Sequence, residues 1–129
     1  SFSWYKVVHL KFEKLKLFSY SSCSTCRKAI KWLKDNDIVF ELVDILNSPP
    51  SKEMLISASK QYGDRKYLLN TSGLIYRSIG SKVVKEMSDN QFFEKLFIEP
   101  RLIKRPFVYT PKSFFLVGFK EEKWAEKLL

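Results

Sequence analysis

The stretch "KLKLFSYSSCSTCRKAIKWLKDNDIVFELVDIL", residues 14–46, carries the pattern of three successive secondary-structure elements. Residues 14–20 alternate lysine with leucine, which predicts a strand. From Cys26 onward, apolar residues recur at i, i+3, i+4 and i+7, which predicts an amphipathic helix with Cys26 on its inward face. Residues 38–46 follow a polar break and predict a second strand. A strand, a helix and a strand within about 30 residues form a βαβ unit with parallel strands and a right-handed crossover.

The remainder of the chain predicts a helical middle section, then a hairpin and a last helix. The predicted elements are, in order, helices at 51–62, 75–87 and 88–97, strands at 107–109 and 114–117, and a helix at 120–129. The order βαβ, helical insert at about 48–103, then ββα predicts an α/β fold with a mixed sheet. We expect one domain over residues 14–129, preceded by an N-terminal extension at 1–13.

Length and composition limit the class of protein. The chain has 129 residues, of which 45% are hydrophobic and 16% aromatic, enough for one domain with its own core. Charged residues interrupt every apolar run before about 18 residues, so we expect no membrane span. Two cysteines are far fewer than a secreted disulfide scaffold carries, and no signal sequence opens the chain, so we expect a cytoplasmic protein.

The net charge of +9 favours an acidic partner. The densest basic stretch is residues 101–112, which contains four arginines and lysines and no acidic residue. The charge suits an oxyanion or an acidic protein. No motif that reads nucleic acid accompanies it, so we expect no direct nucleic-acid partner.

The two cysteines form a C-x-x-C motif at the predicted start of the first helix. Cys23 there faces unpaired backbone N–H groups and the positive end of the helix dipole, both of which stabilise a thiolate. Arg27 and Lys28 add positive charge that is expected to lower the pKa of Cys23 further. Cys23 is therefore predicted to attack, and Cys26, one turn into the helix, to resolve. Between a strand and a helix of a βαβ unit, this motif predicts a redox site.

Three other roles compete with redox chemistry. A structural metal needs three or four ligands, and the chain offers two cysteines and His9, so we expect no metal site. A phosphate-binding Cys-x5-Arg loop is excluded, because Ala29 stands where the arginine would be. The inward position of Cys26 leaves a packing role open for that sulfur.

The segment "KRPFV", residues 104–108, bears on the same site. Pro106 precedes the third predicted strand, where a proline can be cis and can bring its neighbours against another loop. In βαβ–ββα redox folds this turn faces the reactive sulfur, which would put Arg105 within reach of an oxyanion or thiolate substrate. The alternative, a surface Arg105 beside a trans Pro106, stays open at this point.

Five segments in order give the chain a family resemblance: "CSTCRKA" at 23–29, "ELVDI" at 41–45, "LLNTSG" at 68–73, "KRPFV" at 104–108 and "FLVGFKEEKW" at 115–124. Over residues 15–129 the sequence resembles the arsenate reductase/Spx family, a thioredoxin-fold group with a helical subdomain inserted in the middle. The resemblance implies a thioredoxin-like fold, no bound cofactor, and glutathione or glutaredoxin as reductant.

The resemblance also implies roles for particular residues. Cys23 matches the nucleophilic cysteine of the family, and Arg105, before a Pro106 expected to be cis, matches an arginine that contacts the oxyanion. The remaining candidates for the substrate or oxyanion site lie in the cysteine motif: Ser24, Thr25 and Arg27.

The chain departs from glutaredoxin-coupled arsenate reductases at two positions. Those enzymes use three arginines, and the other two positions here are Asn70 and Gly118. Each lost arginine contact removes roughly 1.5 to 3 kcal/mol of charge-assisted hydrogen bonding, so efficient arsenate reduction is not expected. In keeping both cysteines the chain is more similar to the Spx branch, whose members bind RNA polymerase according to the redox state of the pair.

Two hypotheses for the function follow. In the first, the chain is a thiol-dependent oxidoreductase acting on a small oxidised substrate or an oxyanion, with Cys26, glutathione, glutaredoxin or thioredoxin resolving the adduct on Cys23. In the second, the Cys23–Cys26 pair is a sensor, and the chain is an Spx-type transcriptional regulator that binds RNA polymerase.

Overall fold

The computed structural model describes residues 14–129, so the expected extension at 1–13, with His9, lies outside the described residues. Within residues 14–129 four strands form one mixed sheet in the order β2-β1-β3-β4. The strands are β1 Leu15–Ser19, β2 Phe40–Asp44, β3 Phe107–Tyr109 and β4 Phe115–Val117. β1 is parallel to β2 and antiparallel to β3, and β3 is antiparallel to β4. The predicted α/β fold with a mixed sheet is confirmed.

Helices occupy the positions that the sequence predicted, with one exception. They are α1 Ser24–Asp35, α2 Lys52–Tyr62, α3 Leu74–Ile79, α4 Ser81–Glu86, α5 Asp89–Ile98 and α6 Glu121–Leu128. The Ser51 hydroxyl caps α2, which ends at a left-handed Gly63, and Ser88 with Gln91 forms a capping box at the start of α5. In the described part of the chain none of these helices could cross a membrane.

The exception is the single helix predicted over residues 75–87, which was wrong. Gly80 adopts φ +93° and ψ 142°, a conformation outside the helical region that glycine reaches without the steric cost of a Cβ. The chain therefore breaks there into α3 and α4. Apolar periodicity continues across the break, and this is why the sequence pattern predicted one helix.

Two clusters of buried side chains lie on opposite sides of the sheet. Because strand side chains alternate between faces, Leu17 pairs with Val108 on the side covered by α1 and α6, while Phe18 pairs with Phe107 on the other. The α1 and α6 side is centred on Trp124, which is 1% exposed. The opposite cluster includes buried side chains of the helical insert, from α2, α4 and α5.

Candidate functional site

The sheet topology brings together two loops that are far apart in the sequence. β1 ends at Ser19, a few residues before the cysteines, and β3 begins at Phe107, directly after the Arg105–Pro106 peptide bond. Because β1 and β3 are antiparallel neighbours, the end of one lies beside the start of the other. The Arg105–Pro106 bond is cis, as the family resemblance implied, whereas the residues alone left a trans bond open.

Cys23 occupies the N-cap of α1. Its backbone is extended, with φ −95° and ψ 112°, and its Sγ accepts a hydrogen bond from the backbone N–H of Cys26 at 3.2 Å. The loop before it closes through the N–H of Cys23, which donates to the carbonyl oxygen of Tyr20 at 3.0 Å. A sulfur thus takes the place that a hydroxyl or carboxylate oxygen usually holds at this position of a helix.

The surroundings of Cys23 favour its thiolate. Burial raises the pKa of Cys23, but the hydrogen bonds from the thiol and the backbone N–H of Cys26, and then the Arg105 guanidinium, outweigh it. The pKa of Cys23 consequently lies below its ordinary value. Since the side chain is half-buried rather than enclosed, the sulfur is accessible as a nucleophile.

Cys26 has the opposite properties. It is fully buried, as predicted from its place on the inward face of the helix. Burial and its hydrogen bond to Cys23 raise the pKa of Cys26 to about 11. Both cysteines are free thiols, so the pair consists of an accessible acidic sulfur and a protonated sulfur behind it.

Arg105 lies beside this sulfur and is held from two sides. Its Nη1 donates to the carbonyl oxygen of Arg101 at 3.1 Å, and its guanidinium carbon stands 5.1 Å from the ring centroid of Tyr20. Its Nε is buried and has no hydrogen-bond partner among residues 14–129. The guanidinium of Arg105 is therefore held in place, and its Nε–H group has no acceptor among these residues.

A cavity of about 420 Å³ opens in front of Cys23. Of the residues predicted for the site, Ser24, Thr25 and Arg105 line it together with Cys23. Two further lining residues are Asn70 and Gly118, the positions where the family resemblance placed the missing arginines.

Two predicted site residues lie elsewhere. Arg27 does not line the cavity in front of Cys23, and its Nη1 donates to the carbonyl oxygen of Ser21 at 2.9 Å. Pro106 is buried beside the cavity, and its carbonyl oxygen accepts from the N–H of Gly118 at 2.9 Å. The cation that lowers the pKa of Cys23 is Arg105.

Lys104 is a lining residue that sequence reasoning did not assign to the site. Its side chain crosses directly over Gly118, since a Cβ built on that glycine would lie 2.9 Å from Lys104 Cε. Gly118 also has φ +76°, a conformation that side chains disfavour. The signal in the sequence was the position of Lys104 beside Arg105 in the basic stretch, but nothing in it said which way the side chain would point.

Fold and site together define a thioredoxin-like protein with a half-buried free cysteine at a helix start. Residues 18–127 match the ArsC family, and the chain belongs to that family. YusI of Bacillus subtilis, a protein without a characterised function, is 39% identical over 114 residues, covering 87% of this chain and 96% of its own. The global transcriptional regulator Spx of Streptococcus agalactiae is 29% identical over 110 residues, covering 84% and 79%.

A solved structure gives the same classification. An ArsC family related protein from Bacteroides fragilis superposes with a TM-score of 0.78 at 36% identity, over 88% of this chain and 96% of that one. The resemblance inferred from the sequence motifs is therefore confirmed at the level of family and fold. Relatives of this chain include both arsenate-reductase-like proteins and Spx regulators.

Proposed function

We propose that this chain is an arsenate-reductase-like thiol-disulfide oxidoreductase in which Cys23 is the nucleophile. The observation that supports this most directly is the hydrogen bond from the N–H of Cys26 to Cys23 Sγ, beside a cavity that Arg105 also lines. A thiolate stabilised at a helix start and accessible from a cavity is the arrangement that attack on an oxidised substrate requires.

The first step uses residues that line the cavity. The Cys23 thiolate attacks one sulfur of a disulfide, the new S–S bond forms as the old one breaks, and the second sulfur leaves as a thiolate. Negative charge on the substrate or leaving group is stabilised by the guanidinium of Arg105, which lines the cavity. The unpaired N–H groups of Ser24 and Thr25 at the start of α1 add to this stabilisation.

The second step removes the adduct from Cys23. While Cys23 is a thiolate, its hydrogen bond helps to keep the proton on Cys26. Formation of the adduct consumes that negative charge, so Cys26 can then lose its proton to solvent and attack the sulfur of Cys23. The Cys23–Cys26 bond forms as the bond between Cys23 and the substrate sulfur breaks, and that sulfur leaves as a thiolate. Glutathione, glutaredoxin or thioredoxin is the proposed reductant, either of that disulfide or directly of the adduct, because Cys23 is accessible and Cys26 is buried.

Arsenate is proposed as a poor substrate. Of the three cations that the family's arsenate reductases use, Arg105 is present, while Asn70 and Gly118 occupy the other two positions in the cavity. A less charged oxidised group, such as the uncharged S–S bond of a mixed disulfide, places less demand on the missing arginines.

The test is turnover of arsenate and of a small mixed disulfide, with glutathione and with glutaredoxin. We expect measurable disulfide reduction and weak arsenate reduction by the wild type, and loss of both in Cys23→Ser. Ser22→Ala is a matched control, because Ser22 lines the same cavity and precedes the nucleophile. Turnover that survives Cys23→Ser would contradict the mechanism.

A second function is that of an Spx-type redox-sensing regulator that binds RNA polymerase. The 29% identity to Spx supports it, as does the hydrogen bond between the thiols of Cys23 and Cys26. It is tested by capture of RNA polymerase with the reduced and the oxidised chain. Capture that depends on Cys23 and Cys26, with no turnover of any disulfide, would favour the regulator over the enzyme.

A further inference from the structure

A second groove continues outward from the cavity in front of Cys23. It has a volume of about 340 Å³ and shares four lining residues with the cavity, namely Lys104, Val117, Gly118 and Lys120. The two depressions therefore adjoin along these residues, and the sulfur of Cys23 lies in the inner one. From there the groove runs along β4 and α6, between these elements and the end of α2.

Cations line this outer groove. Lys104, Lys120, Lys123 and Lys127 border it, and none of the described residues that line either the groove or the cavity is an aspartate or a glutamate. Lys123 and Lys127 lie one turn apart on α6, on the side that carries the buried Trp124. Lys123 is within 3.9 Å of Glu126, but both side chains are more than half exposed, so that pair neutralises little.

The walls of the groove are fixed by hydrogen bonds to β4. The side-chain amide of Gln61 donates to the carbonyl oxygen of Phe115 and accepts from its N–H, both at 2.7 Å. The Tyr62 hydroxyl accepts from the N–H of Val117 at 2.9 Å. The N–H groups of both β4 residues and the carbonyl oxygen of Phe115 are thus occupied, so a ligand cannot form a regular strand ladder here and must be recognised mainly through its side chains.

Length and charge identify the kind of ligand. From Lys120 to Lys127 the helix axis spans roughly 10 Å at about 1.5 Å per residue, the reach of about three extended residues, and the cavity adds to that length. Within the described part of the chain, the groove is lined by a row of cations and by no carboxylate. Its walls concentrate the positive potential, which suits a ligand with several negative charges in sequence. A nucleic acid shares this charge, but it carries no sulfur for the thiol at the inner end.

We propose that this groove binds an acidic polypeptide segment and directs a disulfide of that partner to Cys23. The inference rests on the proposed thiol chemistry and adds the class of partner. In the step that follows binding, Cys23 thiolate attacks one sulfur of the disulfide of the partner, the partner's S–S bond breaks, and its second sulfur leaves as a thiolate. The lysines act before this step, by raising the rate of productive encounter.

The experiment uses three synthetic peptides of about ten residues, each with one cysteine held as a mixed disulfide with 5-thio-2-nitrobenzoate. The flanking residues are acidic, neutral amide or basic. Release of the coloured thiolate gives the second-order rate constant for attack by Cys23. We expect the acidic peptide to react about tenfold faster than the neutral one at low salt, and the difference to shrink at high salt.

Variants separate the groove from net charge. Lys123→Gln/Lys127→Gln, which changes residues outside the Cys23 cavity, should bring the acidic peptide to the rate of the neutral one and leave the neutral rate unchanged. Lys82→Gln/Lys85→Gln removes the same charge from exposed positions on α4 and should leave both rates unchanged. Equal rates for acidic and neutral peptides, or equal losses in the two variants, would overturn the proposal.

Binding without chemistry is measured by fluorescence anisotropy of the same peptides, labelled and with cysteine replaced by serine. If Cys23 is unreactive with every peptide but the acidic one binds through Lys123 and Lys127, the groove is supported and the oxidoreductase function is contradicted. Single-stranded DNA that binds the groove more tightly than the acidic peptide would overturn the choice of a polypeptide.

Discussion

The backbone N–H of Cys26 donates a hydrogen bond to the sulfur of Cys23 at 3.2 Å. The thiols of these two residues have pKa values shifted in opposite directions. The pKa of Cys23 lies below its ordinary value, and the pKa of Cys26 is raised to about 11. One sulfur of the pair therefore ionises at a lower pH than an ordinary thiol, while the other keeps its proton to a higher pH. The predictions below depend on this asymmetry and on the cations around it.

Cys23 should react with iodoacetamide at a lower pH than an ordinary thiol. Burial opposes this, but the hydrogen bonds from Cys26 and the charge of Arg105 more than offset it, so the midpoint of the pH–rate profile should fall below the usual value of about 8.5. The profile should move upward in Arg105→Gln and stay in place in Arg27→Gln, whose side chain lies outside the cavity. A wild-type midpoint equal to that of a free thiol would refute the activated-thiolate claim.

Arg105 should contribute to substrate binding as well as to the thiol. At a pH where Cys23 is fully ionised in both proteins, Arg105→Gln should lower kcat/KM roughly ten- to a hundredfold, the loss of about 1.5 to 3 kcal/mol from a charge-assisted hydrogen bond. Arg105→Lys keeps the charge but not the fork of donors and should recover part of the rate. Arg101→Gln, an exposed neighbour, serves as the control and should differ little from wild type.

Gly118→Ala should destabilise the protein by more than Gly63→Ala. Both glycines have positive φ, so both substitutions carry backbone strain on the order of 1–3 kcal/mol. Only at Gly118 would the new Cβ also meet Lys104 Cε at 2.9 Å, whereas nothing lies within 4 Å at Gly63. Because Cε is near the free end of an exposed, flexible side chain, moving it aside should add only a small cost. Thermal melts of the two variants, and of Gly118→Ala with Lys104→Ala, measure the extra cost. If adding Lys104→Ala does not reduce the extra loss of stability in Gly118→Ala, the contact with Lys104 does not cause that loss.

The position of Lys104 over Gly118 also affects any attempt to restore efficient arsenate reduction. Gly118→Arg replaces a missing family arginine but must enter space that Lys104 occupies. Arsenate reduction should therefore improve more in Gly118→Arg/Lys104→Ala than in Gly118→Arg alone, as measured with glutathione and glutaredoxin. The opposite order would show that Lys104 itself takes over the role of the missing arginine.

Cys26 should resolve an adduct on Cys23 rather than only pack. With glutathione disulfide, the wild type should pass through a glutathione adduct to an intramolecular disulfide, whereas Cys26→Ser should accumulate the adduct. Mass spectrometry distinguishes the two products, and a melt checks that the buried serine is tolerated. Persistence of the adduct in the wild type would assign Cys26 a packing role.

Local patterns in the sequence predicted most of the fold. The strand before the cysteines, the helix with Cys26 inward and the caps at Ser51 and Ser88 depend on neighbours within one turn, which sequence patterns contain. The break at Gly80 was missed because a single glycine inside a periodic pattern is compatible with either a continuous helix or a stop, and the positive φ that ends the helix is not visible in the sequence.

The site was harder to predict, because its parts come from different segments. Cys23 and Arg105 could be identified from a motif and a cis proline, and the antiparallel pairing of β1 with β3 then brings them together. The direction of Lys104 depends on the open space above Gly118, and the direction of Arg27 on the carbonyl oxygen of Ser21. Neither the space above Gly118 nor the position of the Ser21 carbonyl oxygen can be predicted from the sequence.

The hydrogen bonds of Gln61 and Tyr62 to β4 also bear on how a partner leaves. A protein that forms mixed disulfides holds another chain beside its own sheet for as long as the covalent bond lasts, and a free strand edge there would invite that chain to pair with it. On β4 the N–H groups of Phe115 and Val117 and the carbonyl oxygen of Phe115 are already satisfied within the molecule. Once the disulfide is cut, no backbone ladder to these residues delays dissociation, and turnover can proceed.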